Sequence, residues 1–170
     1  MDIAVIRERM ALLDVEASGL MPGSFPVEVA WLAGSRGSAV IDPSGHWDES
    51  RWDPDAEAMH GLSVQQVRRL GRHPKAVAAA LDRALRGRVA FTDSPCHDAA
   101  WLDMLHQAAG IPRRYRVDSI GRLLGHLGIK PSEAYMIFSS ARESHPPRGR
   151  ARAGVDHLSA IFETAARRRQ

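Results

Sequence analysis

Apolar and polar positions along the chain change period several times, and these changes mark out the elements. Residues 10–16, Met-Ala-Leu-Leu-Asp-Val-Glu, form an apolar run that turns acidic at its end, which predicts a buried strand. Residues 18–23 carry turn chemistry. Residues 26–32, rich in Val and Trp, predict a second strand; residues 34–37 a tight turn; and residues 38–42 a third strand that closes a hairpin. The period then shifts to helices. Asp53-Pro54 is a cap with a first-turn proline, opening a short helix to His60-Gly61, and Ser63 caps another that reaches Leu70-Gly71. Pro74 opens an amphipathic helix with Val77, Leu81 and Leu85 on one stripe, stopped at Gly87. Residues 88–92 predict a strand, 96–109 a helix closed by Gly110, and 115–117 a short strand. Three helices follow: residues 119–127, residues 131 to the His145-Pro146-Pro147 break, and residues 151–168 with Val155, Leu158, Ile161 and Phe162 on the apolar stripe.

A meander followed by strands joined through helices predicts an α/β fold, a mixed five-stranded sheet flanked by helices. The 170 residues suit one domain spanning 1–170, long enough to bury roughly 70% of its unfolded surface. Residues 1–9 fit no element: they are an N-terminal extension, or they precede a true start at Met10. Residues 167–170 form a basic tail.

Composition narrows the function classes. At 44% hydrophobic and 25% charged the chain is globular, not fibrous or disordered. A single cysteine, Cys96, excludes an intrachain disulfide and is expected to be a buried structural residue. No run approaches the roughly 18 apolar residues of a membrane span, and the N-terminus lacks a signal-peptide core, so a cytoplasmic chain without a membrane partner is expected. The eight histidines lack zinc-ligand spacing, and no P-loop or dinucleotide fingerprint occurs. Net charge is only +3, but arginines cluster at 113–116, at 142–152 and at 167–169. Such clusters are either solvated faces or phosphate-facing surfaces.

The candidate chemistry lies in the acids. Asp14 and Glu16, two apart on a strand, point to one face. Two carboxylates there repel each other and resist burial unless a cation joins them, and hard divalent ions accept such oxygens. The alternative is a solvated strand end. A second acidic pair, Asp93 and Asp98, flanks the junction between the fourth strand and the next helix, where ligands collect in α/β sheets. Asp98 alone also suits the first turn of a helix.

These residues carry a resemblance. Asp14-Val-Glu16-Ala-Ser-Gly19-Leu20, with Pro26-Val-Glu28-Val-Ala30-Trp31 after it, resembles the first motif of the DEDD-type 3′–5′ exonucleases. These are ribonuclease-H-like proteins that include ribonuclease T, oligoribonuclease and polymerase proofreading subunits. Met59-His60-Gly61-Leu62-Ser63 resembles the family's substrate loop, and Asp93-Ser94-Pro95-Cys96-His97-Asp98 its second motif, with Asp98 as third acid. The third motif, His-x-Ala-x-x-Asp at the start of the last helix, departs: Gly149 stands where the histidine belongs and Gly154 where the fourth aspartate belongs. Asp156, His157 and His145 are the nearby side chains that could substitute. Asp156 lies about 200° around the helix from Gly154, His157 nearer its face, and His145 in the preceding loop.

The resemblance implies a ribonuclease-H-like fold and hydrolysis of phosphodiesters at the 3′ ends of single-stranded DNA or RNA. It implies two Mg²⁺ or Mn²⁺ ions held by Asp14, Glu16 and Asp98, with Asp156 as a candidate fourth ligand. His145 or His157 would serve as general base. Ala17, Ser18, Gly19 and Leu20 would cradle the terminal nucleotide, and His60 would contact its sugar or phosphate. A homodimer is compatible with the family but specified by no residue here. Two outcomes stay open: an enzyme of reduced activity, or an inactive nuclease-fold module that binds nucleic-acid ends. Of the tryptophans, Trp47 and Trp52 are loop anchors or base-stacking platforms.

Overall fold

The structure, a computed structural model, describes residues 3–169. Five strands form one mixed sheet: β1 (Met10–Ala17), β2 (Pro26–Ala33), β3 (Ser35–Val40), β4 (Val89–Thr92) and β5 (Arg116–Ser119), in spatial order β3-β2-β1-β4-β5. The first three strands meander antiparallel, and β4 and β5 add parallel to β1. Helices α2 (Pro54–His60) and α3 (Val64–Leu70) follow the meander, and α4 (Pro74–Leu85) and α5 (Pro95–Ala109) precede and follow β4. Helices α6 (Ile120–His126), α7 (Pro131–Ser144) and α8 (Ala151–Arg167) complete the chain.

Period-two alternation splits β1 between two cores. Leu12 joins Ala30, Phe91 and the apolar stripe of α8 on one face. Ala11, Leu13 and Val15 join Val77, Leu81, Leu102 and Leu105 of α4 and α5 on the other. Asp14 and Glu16 share the parity of Leu12, so they face the layer that holds α8. Between Glu16 and Ala17 the β1–β2 register slips. Such a bulge bends a strand and redirects the side chains beside it.

Most expected elements form within a residue or two of their expected bounds, and four details differ. Residues 3–9 form helix α1 (Ile3–Arg9), which buries Ile6 against the α8 layer and forks Arg7 onto Glu163 at 2.6 and 2.7 Å. The hairpin is tighter than expected: β3 starts at Ser35, and Gly37 pairs within the strand with Trp31, whose indole fills the space a Cβ would take. Residue 41 leaves the strand and bridges Arg72 instead. Cys96 is exposed rather than buried. On α5 the inward stripe passes through Asp98, Leu102 and Leu105, and Cys96 lies about 200° around the helix from Asp98. No described helix is long and apolar enough to cross a membrane.

Candidate metal centre

The site forms where β1 and β4 end. Their parallel register pairs Leu12 with Phe91, so two residues further on Asp14, still paired to β2, stands beside Asp93, the first residue past β4. Helix α5 starts immediately afterwards, with Pro95 at its first position, and turns the buried Asp98 back toward the strand ends. Thr92, fully buried at the end of β4, donates its hydroxyl to Asp98 Oδ2 and accepts the Ser94 N–H at 3.2 Å. One oxygen from each of Asp14, Asp93 and Asp98 lies within 4.8 Å of the other two.

No ion pair among the described residues offsets this charge. Burial, reinforced by Glu16, Asp98, Asp93 and Glu28, pushes the Asp14 carboxyl up to about 9. Asp98 is pushed up to about 7 by burial, with the Thr92 hydrogen bond opposing and Asp93 and Glu16 adding to the rise. Burial and Glu28 raise Glu16 to about 7, against the pull of Arg150. Asp14 and Asp98, which resist ionisation for want of a counter-charge, converge with Asp93 to offer three oxygen donors that fit a hard divalent cation. In the sequence Asp93 only flanks the strand–helix junction. Its place in the cluster follows from the strand register, a signal that pairing Leu12 with Phe91 would have exposed.

Glu16 lies outside that close group. It pairs across the sheet with Glu28 on β2. Glu28 is buried, and Arg150 forks onto it through Nε at 2.8 Å and Nη2 at 2.6 Å, while the Ala151 N–H donates to the same carboxylate at 3.1 Å. Glu28 therefore supplies the cap that the first turn of α8 lacks from its own N-cap side chain.

The last motif is closed by packing. Gly154 lies against Asp14, and a Cβ built on it would overlap the Asp14 carboxylate. Gly149 has a left-handed backbone (φ +46°), and a Cβ there would overlap the Met59 carbonyl. Asp156 does not join the acids: it faces β3 and pairs with Arg36. His157 is buried, with Nδ1 2.8 Å from the His145 carbonyl oxygen. His145 lines an outer groove with Arg36, Ser140, Asp156 and Arg167, which none of the three clustered aspartates lines. No histidine shares the cluster.

The proposed substrate loop is ordered by backbone bonds. Ser18 is fully buried; its N–H donates to the Phe25 carbonyl at 2.8 Å and its hydroxyl accepts the Phe25 N–H at 3.0 Å. Ala17 and Gly19 are buried beside it, and Gly19 abuts Asp53. Leu20 and Met21 project outward, 71% and 72% exposed. His60 is buried against Trp52, its Nδ1 accepting the Leu62 N–H at 3.1 Å, so the ring sits behind the loop and not on its surface. Trp47 stacks on Phe25 with centroids 5.6 Å apart, and Trp52 donates to Glu57 at 2.6 Å.

The strand order and flanking helices make this a ribonuclease-H-like fold, with a carboxylate cluster at its strand ends. No protein-family model and no curated protein sequence matches the chain. Among solved structures it resembles E. coli exonuclease I bound to a dT13 oligonucleotide, with a TM-score of 0.68 and 13% identity over 94% of this chain. It is similar, at a TM-score of 0.63 and 13% identity, to the zinc-ion-bound E. coli ExoI–ssDNA complex, and at 0.65 and 12% to a product-bound exonuclease I. The chain spans 42% of the length of the dT13-bound exonuclease I chain. At these identities the likeness shows the fold.

Proposed function

We propose that the chain is a Mg²⁺- or Mn²⁺-dependent 3′–5′ exonuclease that releases nucleoside 5′-monophosphates from single-stranded ends. The carrying observation is the convergence of Asp14, Asp93 and Asp98 within 4.8 Å on this fold. A divalent ion bound there would supply charge stabilisation of the phosphodiester under attack and a water of lowered pKa. Asp14, Asp93 and Asp98 hold the ion, and Glu16, beside them, orients the attacking water. The exposed Leu20 and the loop backbone of 17–20 receive the terminal base. The oligonucleotides bound by exonuclease I support single-stranded DNA as the substrate class.

The reaction runs slowly, because among the described residues no histidine joins the three-aspartate group to take the water's proton, a role typically worth about 10²–10⁴ in rate. The test is incubation of 5′-labelled single-stranded DNA and RNA with Mn²⁺, for the native chain and Asp14→Ala. A ladder shortening from the 3′ end that vanishes in the variant is expected.

A second reading is favoured by the two closed glycine positions: a nuclease-fold module that binds strand ends without cleaving them. It predicts saturable binding of the same oligonucleotides with no ladder from either protein.

A further inference from the structure

We infer that the site takes one divalent cation, not the two the resemblance implies, and that the Arg150 guanidinium supplies the second positive charge toward a phosphate oxygen. This rests on the nuclease reading above. Three observations carry it. Among the described residues Asp14, Asp93 and Asp98 are the group of three acids whose oxygens all lie within 4.8 Å of one another, and Glu16 is not part of it. The fourth acid is absent: at Gly154 the backbone of α8 lies directly against the Asp14 side chain, so that a Cβ there would meet its carboxylate. Finally, the ground beside Glu16 is already cationic. Glu16 and Glu28 are direct cross-strand partners, whose side chains stand about 5 Å apart on one face, and Arg150 is forked onto Glu28. A second divalent ion at Glu16 would have to share Asp14 with the first and would have the Arg150 guanidinium, whose charge acts on Glu16, for a neighbour.

The same geometry equips Arg150 for phosphate. Glu28 holds the planar group through Nε and Nη2, and the side chain remains 48% exposed. Its remaining N–H groups, Nη1 among them, can donate as a rigid fork to phosphodiester oxygens, which a lysine does not reproduce. The buried carboxylate beneath it orders the cation before substrate arrives, so little side-chain entropy is lost on binding. Arg150 is therefore the phosphate-contacting residue, and Glu28 the positioning residue that orients it.

Counting bound Mn²⁺ by electron paramagnetic resonance on the full chain tests this. The native protein is expected to bind one ion. Asp93→Asn should weaken that ion at least tenfold, and Glu16→Gln should leave the count at one. Arg150→Gln frees the Glu16–Glu28 pair and should admit a second, weaker ion, while weakening binding of single-stranded oligonucleotide in Ca²⁺ at least tenfold. Arg150→Lys keeps the charge and the pair with Glu28. It should hold the count at one yet still weaken oligonucleotide binding, and it stands in if Arg150→Gln fails to fold. Two ions on the native protein, one of them lost in Glu16→Gln, would overturn the inference and leave the nuclease reading standing. No bound Mn²⁺ would overturn both.

Discussion

Replacing Asp14 with asparagine should stabilise the metal-free protein, and by an amount that grows with pH. The carboxyl is raised from 3.8 to about 9 by burial and by the acids around it. Between those values the folded chain holds a proton that the unfolded chain has released. Stability therefore falls as pH rises through this window, at about 1.4 kcal/mol per pH unit. From 3.8 to pH 7 the full effect is about 4 kcal/mol, and water entering the cluster reduces it to about 2–4 kcal/mol. Asparagine mimics the protonated form, so it should recover that amount. For a domain of this size the gain corresponds to about 4–16 °C in melting temperature at pH 7, shrinking to a few degrees at pH 5. The assay is thermal unfolding of both proteins in EDTA at pH 5, 6, 7 and 8, read as the difference between them. Taking the difference matters. Burial holds His60 and His106 below the usual histidine range, so these groups lose stability as pH falls, and they do so equally in both chains. Saturating Mn²⁺ should reverse the order, because only the native site gains from the ion. A variant no more stable than the native chain at pH 8, or a gain independent of pH, would refute the claim that the cluster is strained by uncompensated charge.

Other predictions follow from the same geometry. Gly154→Asp should not rebuild a fourth ligand; its side chain overlaps Asp14, and overpacking should lower stability by about 1–3 kcal/mol in urea unfolding. Glu28→Gln should cost about 1–3 kcal/mol by the same measurement, less than a fully buried broken pair because Arg150 is half exposed. A chain begun at Met10 loses the buried Ile6 and the Arg7–Glu163 fork, and its unfolding free energy should drop by about 2–3 kcal/mol. Asp93→Asn should abolish most of the Mn²⁺-induced rise in melting temperature, whereas Asp156→Asn, on the far side of α8, should leave that rise intact.

Several arginines of the clustered segments have structural partners. Arg113 pairs with Asp103 at 2.8 Å and lies over Tyr115. Arg152 donates to Ser38 at 2.7 Å, and Arg169 reaches the Gly128 carbonyl and Glu133. Arg150 differs in kind, since its carboxylate partner is the direct neighbour of Glu16. A charge run in sequence does not separate these cases.

Local chemistry determined which segments become helix or strand. Asp53-Pro54, Ser63 and Pro74 open helices where expected, Gly61 and Gly110 close α2 and α5 in left-handed conformations, and alternation in residues 10–16 put Asp14 and Glu16 on one face. Each of these depends on contacts within a few residues of the chain. What only the tertiary structure decided is which acids meet. Asp93 approaches Asp14 through the register of two strands some eighty residues apart, and Glu16 is drawn instead into a cross-strand pair whose partner carries Arg150. The glycines of the last motif read in sequence as missing side chains. In the fold they are contacts, one letting α8 rest on Asp14 and the other letting the chain cross the Met59 carbonyl. Periodicity records which way a side chain points from its own element. It carries no information on how closely two elements pack, and that distance governs whether carboxylates share an ion.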